Sequence, residues 1–474
     1  MKFVRLCIFC LIGLSLASVS RQNDPVPLDY FCMRTGHSIV KKGDAIYAYG
    51  GLRNPKVFNE TYPYDHALVK LDLSYSWRIL YNDQPMTLVS SLDLADHPPP
   101  RLIESSIFYD HNHTFHVYGG GLATSNASSV RQTTTSPVQN RVWTLSSNES
   151  WSSSPVKELD PNYAPMHALS VRAPEHDLVF YLNGILSNGS DEHLHVFPKM
   201  IIMNTRTKEV RVVSTNEILP DTARVGAVLQ YLPLLGTRGA LVLFGGATRH
   251  KENVTTDTWG TMVPLDVIHI FDIASLDTTP NGIWYRQSTS GRTPSNRMIT
   301  CAISILSPDR TNYYIYISSG HSPTEIHDDV WVLSLPQFHW TQVFSGSRSN
   351  YGSVCHLVGN KQLLVLGGID RHAACQRSPY VSLFDVTNLK WERSYVKDDE
   401  AFRVPKAVSD WIGGSAMGEA KIREPEPGFM SPGLAMMFDG ITGSRMRSTA
   451  MRKVRITRWA AVGVLPWFSA FFLL

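Results

Sequence analysis

The sequence predicts an all-β fold in which four-stranded units stack radially about an axis. Composition is the first reason. The chain has 474 residues, 43% hydrophobic and only 18% charged, with 32 Gly, 28 Pro, 11 Trp and 19 Tyr. That balance favours short strands joined by turns over disordered chain or long helices. The second reason is self-similarity. An apolar strand ending in a Gly pair, or a degraded version of one, recurs six times: Ala45–Gly51, Thr114–Gly120, Leu178–Gly184, Ala240–Gly246, Tyr314–Gly320 and Gln362–Gly368. The third is what surrounds each of these strands, and it repeats as well.

Taken in order, a unit opens with a short strand such as His37–Val40, Val225–Val228 or Val354–Val358. The Gly-pair strand follows. The pairs are Gly50 and Gly51, Gly119 and Gly120, Gly245 and Gly246, and Gly367 and Gly368, with Gly184 and Gly320 closing the degraded ones. A third strand comes next, such as Ala67–Asp72, Arg141–Leu145, Val267–Asp272 or Asp329–Leu333. A fourth opens near Trp77, Trp151, Trp284, Trp340 and Trp391, while the third repeat offers Val210–Val213 without an indole. Four short strands cannot bury both faces alone, and radial stacking solves that problem. Glycine then lets the backbone turn and approach its neighbours without a Cβ. The indoles cover the gaps between units. Both residue types are read as structural, not as binding groups.

The order of strand, Gly-Gly and later Trp resembles the kelch repeat, and the resemblance covers about 360 residues. It implies a β-propeller of six blades, or seven if a degraded terminal blade exists, with a mostly irregular C-terminal extension. Either Val26–Phe31 or Phe402–Val408 is expected to complete a terminal blade, because an unclosed ring exposes sheet edges. The stretch Val404–Ala420 followed by Pro425–Gly428 is similar to the post-propeller segment of secreted or membrane-anchored kelch proteins of filamentous fungi. The expected divisions are a signal peptide at 1–17 (to about 20), the propeller at 25–396, an extension at 397–450 and a hydrophobic anchor signal with a basic spacer at 451–474.

The two ends point to the secretory pathway. Lys2 and Arg5 precede the apolar run Leu6–Leu16, shorter than a spanning helix needs. Beyond that segment lie Cys32, Cys301, Cys355 and Cys375, disulfide candidates whose pairing the sequence leaves open. Candidate N-glycosylation sites are Asn59, Asn112, Asn126, Asn148, Asn188 and Asn253. At the other end, Ser448 lies ahead of a polar spacer and the apolar run Trp459–Leu474, the pattern of a GPI-anchor signal, with a short or tilted membrane anchor and an imperfect gene model as alternatives.

Chemistry is sparse. No nucleophile elbow, Walker loop or His-Glu-x-x-His motif occurs. The pairs His111/His113 and His193/His195, and the cluster of His321, His327, Asp328 and Asp329, are read as surface or strand-cap residues. No catalytic residue, metal or cofactor is expected. Lys and Arg number 44 against 41 Asp and Glu, so nothing argues for a nucleic-acid partner. The expected function is a secreted or cell-surface module without catalysis that binds an extracellular or cell-wall protein or glycan through its loops. The alternative is an extracellular enzyme at the axis, glycan-active or like the copper radical oxidases whose central domain the kelch resemblance also brings in. The residues after 396 are too few for the appended sandwich domain of those oxidases.

Overall fold

The computed structural model describes residues 23–442 apart from 54–66, 80–84, 92–98, 123–139, 148–149, 161–163, 188–193, 251–259, 347–348, 371–379 and 427. Among the described residues, six sheets each contain four antiparallel strands consecutive in their order around the sheet. Blade one is built from Arg34–Lys41, Ala45–Arg53, Ala67–Asp72 and Met86–Ser91, and blade two from Ser106–Tyr109, Phe115–Tyr118, Arg141–Leu145 and Trp151–Pro155. Blade three comprises Leu169–Ala173, Leu178–Leu182, Lys199–Asn204 and Val210–Ser214, and blade four Val228–Leu232, Ala240–Phe244, Val267–Asp272 and Ile283–Ser288. Blade five runs through Cys301–Leu306, Tyr313–Ser318, Val330–Leu335 and His339–Phe344, and blade six through Tyr351–Val358, Gln362–Ile369, Val381–Asp385 and Lys390–Glu392.

The first strand of each blade lines a central channel, and that of blade six packs against those of both five and one, which closes the ring. Each gap between blades has its own apolar cluster. Tyr49 and Leu68 of blade one meet Val117 and Trp151 of blade two. Tyr118 meets Tyr181 edge-on across the next gap, at 4.8 Å between ring centroids. Phe180 and Met200 meet Trp284, and Phe244 of blade four meets Trp340 at 5.6 Å. Phe344 of blade five meets Trp391 at 6.4 Å, and Val358 and Leu364 of blade six meet Leu71 and Trp77. Each of the five repeat indoles thus packs against the blade before its own. Blade three fills the position with Val210 and Val212, which face blade two.

The Gly pairs sit where one blade approaches the next. Gly50 has φ +72°, and a Cβ there would stand 2.6 Å from the Leu102 carbonyl oxygen that leads into blade two. The degraded pairs keep the backbone conformation, with Asn183 at φ 57° and Ser319 at φ 67° in the first position.

Two expectations need correction. Trp77 does not open a fourth strand. That strand is Met86–Ser91, and Trp77–Arg78 instead pairs with Ser394–Tyr395 from beyond blade six, with Trp77 and Tyr395 5.5 Å apart. Neither terminal segment completes a blade. Pro25 makes a single bridge to Thr87 at the outer edge of blade one, and Leu28–Phe31 is a 3-10 turn. The extension is mostly irregular among its described residues, as expected, and also carries two short helices. Helix α1, Lys406–Ile412, starts after Pro405 and stops at Gly413, whose φ of 66° suits a C-terminal glycine. It buries Val408 and Ile412 with Phe402 and Val404 in the gap between blades five and six. Helix α2, Pro432–Thr442, has Pro at its first position and buries Leu434, Met437 and Phe438 between blades four and five.

Cys301 and Cys355, on the first strands of blades five and six, form a disulfide with Cα atoms 5.6 Å apart. Linking positions separated by 54 residues restricts the unfolded chain by roughly 4 kcal/mol in the chain-entropy account. Cys32 is disulfide-bonded as well, while Cys375 lies outside the described residues.

Candidate functional site

The channel itself forms a concavity of about 590 Å³, lined from all six blades. Strand pairing places its wall residues in tiers. In each blade, one first-strand residue pairs with the residue just ahead of the Gly pair: Ser38, Ser106, Leu169, Val228, Cys301 and Val354. Three positions on, the equivalent residues are Lys41, Tyr109, Arg172, Tyr231, Ser304 and Leu357, and all of them line the channel. One tier therefore holds two cations, two phenols, a hydroxyl and a leucine.

The electrostatics of this tier are one-sided. Among the described residues, no Asp or Glu lines the cavity. Burial lowers the pKa of Lys41, against the opposing pull of Asp44 at the rim. His356, one position before Leu357, is also lowered by burial, partly offset by its ring N–H donation to the Leu357 carbonyl at 2.9 Å, with the Lys41 charge adding to the lowering. It stands neutral at pH 7. Burial and then Glu175 raise the phenol of Tyr231. Arg172 lays its guanidinium on the Tyr109 ring, 4.0 Å from the centroid. Such a wall can attract and orient negative charge. It offers no carboxylate base, and Cys355 is held in a disulfide.

The histidines singled out in sequence do not converge. His111 and His113 are exposed in the turn between the first two strands of blade two, His195 is exposed, and His193 lies outside the described residues. His321 lies against Tyr351 with the rings tilted and their centroids 4.7 Å apart, and His327 is buried, its pKa lowered by that burial and by Arg297. Asp329 takes both Arg297 guanidinium nitrogens, at 2.5 and 3.1 Å, and so is a structural partner. Among the described residues no group of three or more His, Cys, Asp or Glu is arranged to hold a metal ion. Of the glycosylation candidates only Asn112 is described, exposed in a turn. Asn59, Asn126, Asn148, Asn188, Asn253 and the anchor candidate Ser448 lie outside the described residues.

Sequence reading missed the tier, because its members lie far apart along the chain. It also missed a second repeat-related set. Arg34, Arg224, Arg297 and Asn350 each sit four residues ahead of the pairing residue and donate to the carbonyl of the first residue of the Gly pair or its substitute, at 3.1, 2.8, 3.4 and 2.9 Å respectively. Aligning the repeats on their glycines would have shown both.

No family model matches the chain. A curated Kelch repeat-containing protein of Arthroderma benhamiae (strain ATCC MYA-4681 / CBS 112371) aligns over 469 residues at 24% identity. That alignment covers 84% of this chain and 65% of the relative, so it spans less than two thirds of that protein's length. Among solved structures, that of YjhT superposes with a TM-score of 0.48 at 14% identity, covering 78% of this chain and 98% of its own. Repeat, ring and curated match converge: the chain is an all-β protein of six four-stranded sheets, and it is similar to kelch-repeat β-propeller proteins.

Proposed function

We propose that this chain is a secreted or cell-surface interaction module that holds an extracellular or cell-wall protein or glycan on the face where the Gly pairs emerge. The observation that carries the reading is the direction of its projecting ribbons. Beyond the Gly pair of blade four, Ala247–His250 pairs with both Thr222–Val225 and Thr261–Met262. In blade three, Ile185–Ser187 pairs with Leu194–Val196. Both ribbons extend the connection between second and third strands, and in every blade that connection begins at the same face. Variable loops on a rigid ring are where recognition resides.

The Cys301–Cys355 disulfide and the exposed Asn112 in its Asn-His-Thr triplet support an oxidising, glycosylating route. Attachment through a glycolipid near Ser448 is part of the same proposal. Mass spectrometry of the mature C-terminus tests it, and a retained Leu474 would refute it.

The binding reading is tested on an array of glycans and extracellular proteins. The double variant Leu186→Glu/Thr261→Lys, changing one residue on each ribbon, should keep the melting temperature and lose roughly tenfold or more in affinity for any ligand found. Turnover of an alcohol or glycan substrate by the purified chain would overturn the reading in favour of an enzyme.

A further inference from the structure

We propose that the axial channel is a binding site for a small organic anion bearing a carboxylate, with Arg172 and Lys41 supplying the countercharge from one tier of its wall. The proposal stands on the wall residues and is independent of any partner on the Gly-pair face.

Position comes first. Lys41 and Arg172 occupy equivalent strand positions in blades one and three, separated only by Tyr109 of blade two. Both therefore reach the same level of one cavity. Among the described residues, neither makes an ion pair and no carboxylate lines the cavity. The acids that influence this level, Asp44 and Glu175, are exposed at the rim, outside the lining.

Arg172 is then the anchor. Its guanidinium lies over the Tyr109 ring, while its Nε is buried and has no hydrogen-bond partner. A buried donor without an acceptor is costly, and structures rarely leave one idle. Ser38 Oγ, on the same wall, is in the same condition. A carboxylate meets the unused side of a guanidinium fork with charge-assisted bonds, and the planar pairing favours carboxylate over a monatomic anion.

Size fixes the rest of the ligand. A volume of about 590 Å³ falls in the range of small-molecule sites and far exceeds a bare ion. Phe108, Tyr231 and Ile303 give it apolar faces, and Ser170 and Ser304 give it hydroxyls. A ligand of this kind would present a charged head to Arg172 and Lys41 and a polar, ring-sized body to the remaining wall.

Titration calorimetry of the full chain at low salt tests the proposal with D-glucuronate, D-glucose, citrate and sulfate. Saturable binding of glucuronate or citrate, with none of glucose, is expected. Arg172→Gln and Lys41→Gln should each weaken it about tenfold or more, and Arg172→Lys should retain part of it. Melting temperatures of the variants verify that they fold. No saturable binding of either carboxylate up to about 10 mM would overturn the proposal, as would binding indifferent to both substitutions. Sulfate binding as tightly as the carboxylates would overturn the organic ligand and leave an inorganic oxyanion in its place.

Discussion

At the residue scale, the ring depends on how each Gly-pair carbonyl is met. Arg224 donates to the Gly245 carbonyl from a buried site with no carboxylate partner among the described residues, and burial lowers its guanidinium to about 10. Arg297 in blade five adds Asp329, whose pKa burial would raise but whose bonds to Arg297 hold it below the usual carboxylate value. The neighbouring Gly246 has φ +75°, and its absent Cβ would stand 2.6 Å from the Val225 carbonyl oxygen. Gly246→Ala should therefore destabilise the chain by about 3 kcal/mol or more, combining left-handed strain with a clash against backbone. Gly43 offers the control, since it shares a positive φ of +57° but has nothing within 4 Å. Its Ala variant should lose only about 1 kcal/mol. Urea titration of both variants measures the difference, and equal losses would remove the steric argument. The glycines were legible in the sequence because their constraint is local. The arginines were not, because an isolated Arg carries no local signal.

At the element scale, the two helices of the extension behave as wedges. Helix α2 adds Leu434, Met437 and Phe438 to the gap between blades four and five, where Phe438 meets Phe338 at 5.6 Å. Helix α1 sets Trp411 flat on His339, with ring centroids 3.3 Å apart. Phe438→Ala should destabilise the chain by about 3–5 kcal/mol, the usual loss for a buried aromatic. Native-state hydrogen exchange should then rise in Tyr313–Ser318 and Val330–Leu335, with blade one unaffected. A uniform rise would mean that the ring opens only as a whole. Sequence reading did not place the two helices within this mostly irregular stretch because each is short, and the apolar residues of Phe402–Val408 fit a strand pattern as well as a helix. Only the curved gap that they fill decides between the two. The displacement of Trp77 has a similar cause. Its indole serves the same inter-blade role as the others, but the strand it should have opened begins later, at Met86.

At the scale of the whole molecule, burial has left several histidines unable to take a proton. His37 is lowered to about 3, chiefly by burial and then by Arg34, and His116 to about 4, by burial and the Lys208 charge against Asp110. His269 and His339 are also lowered to about 4, again with burial first. In the unfolded chain each returns to its ordinary value near 6.5. A base depressed on folding favours the native state fully above the unfolded pKa and progressively less as pH falls towards the folded one. Stability should thus decline between about pH 6.5 and 4, by on the order of 2 kcal/mol for each of His37 and His116 at pH 5. Thermal melts at pH 7.5 and pH 5 check this, and an unchanged midpoint would refute it. The ring was legible at this scale because a repeat announces itself. The charge of its channel was not, since Lys41 and Arg172 become neighbours only when blades one and three are wrapped around a common axis.

Each blade is one uninterrupted stretch of polypeptide, and the seam where blade six meets blade one is stitched by the brief Trp77–Tyr395 ladder and the same kind of packing as every other gap. The order in which the blades are written is therefore incidental to what holds them. A circular permutant that starts at blade four and joins the native ends should spell the same wheel.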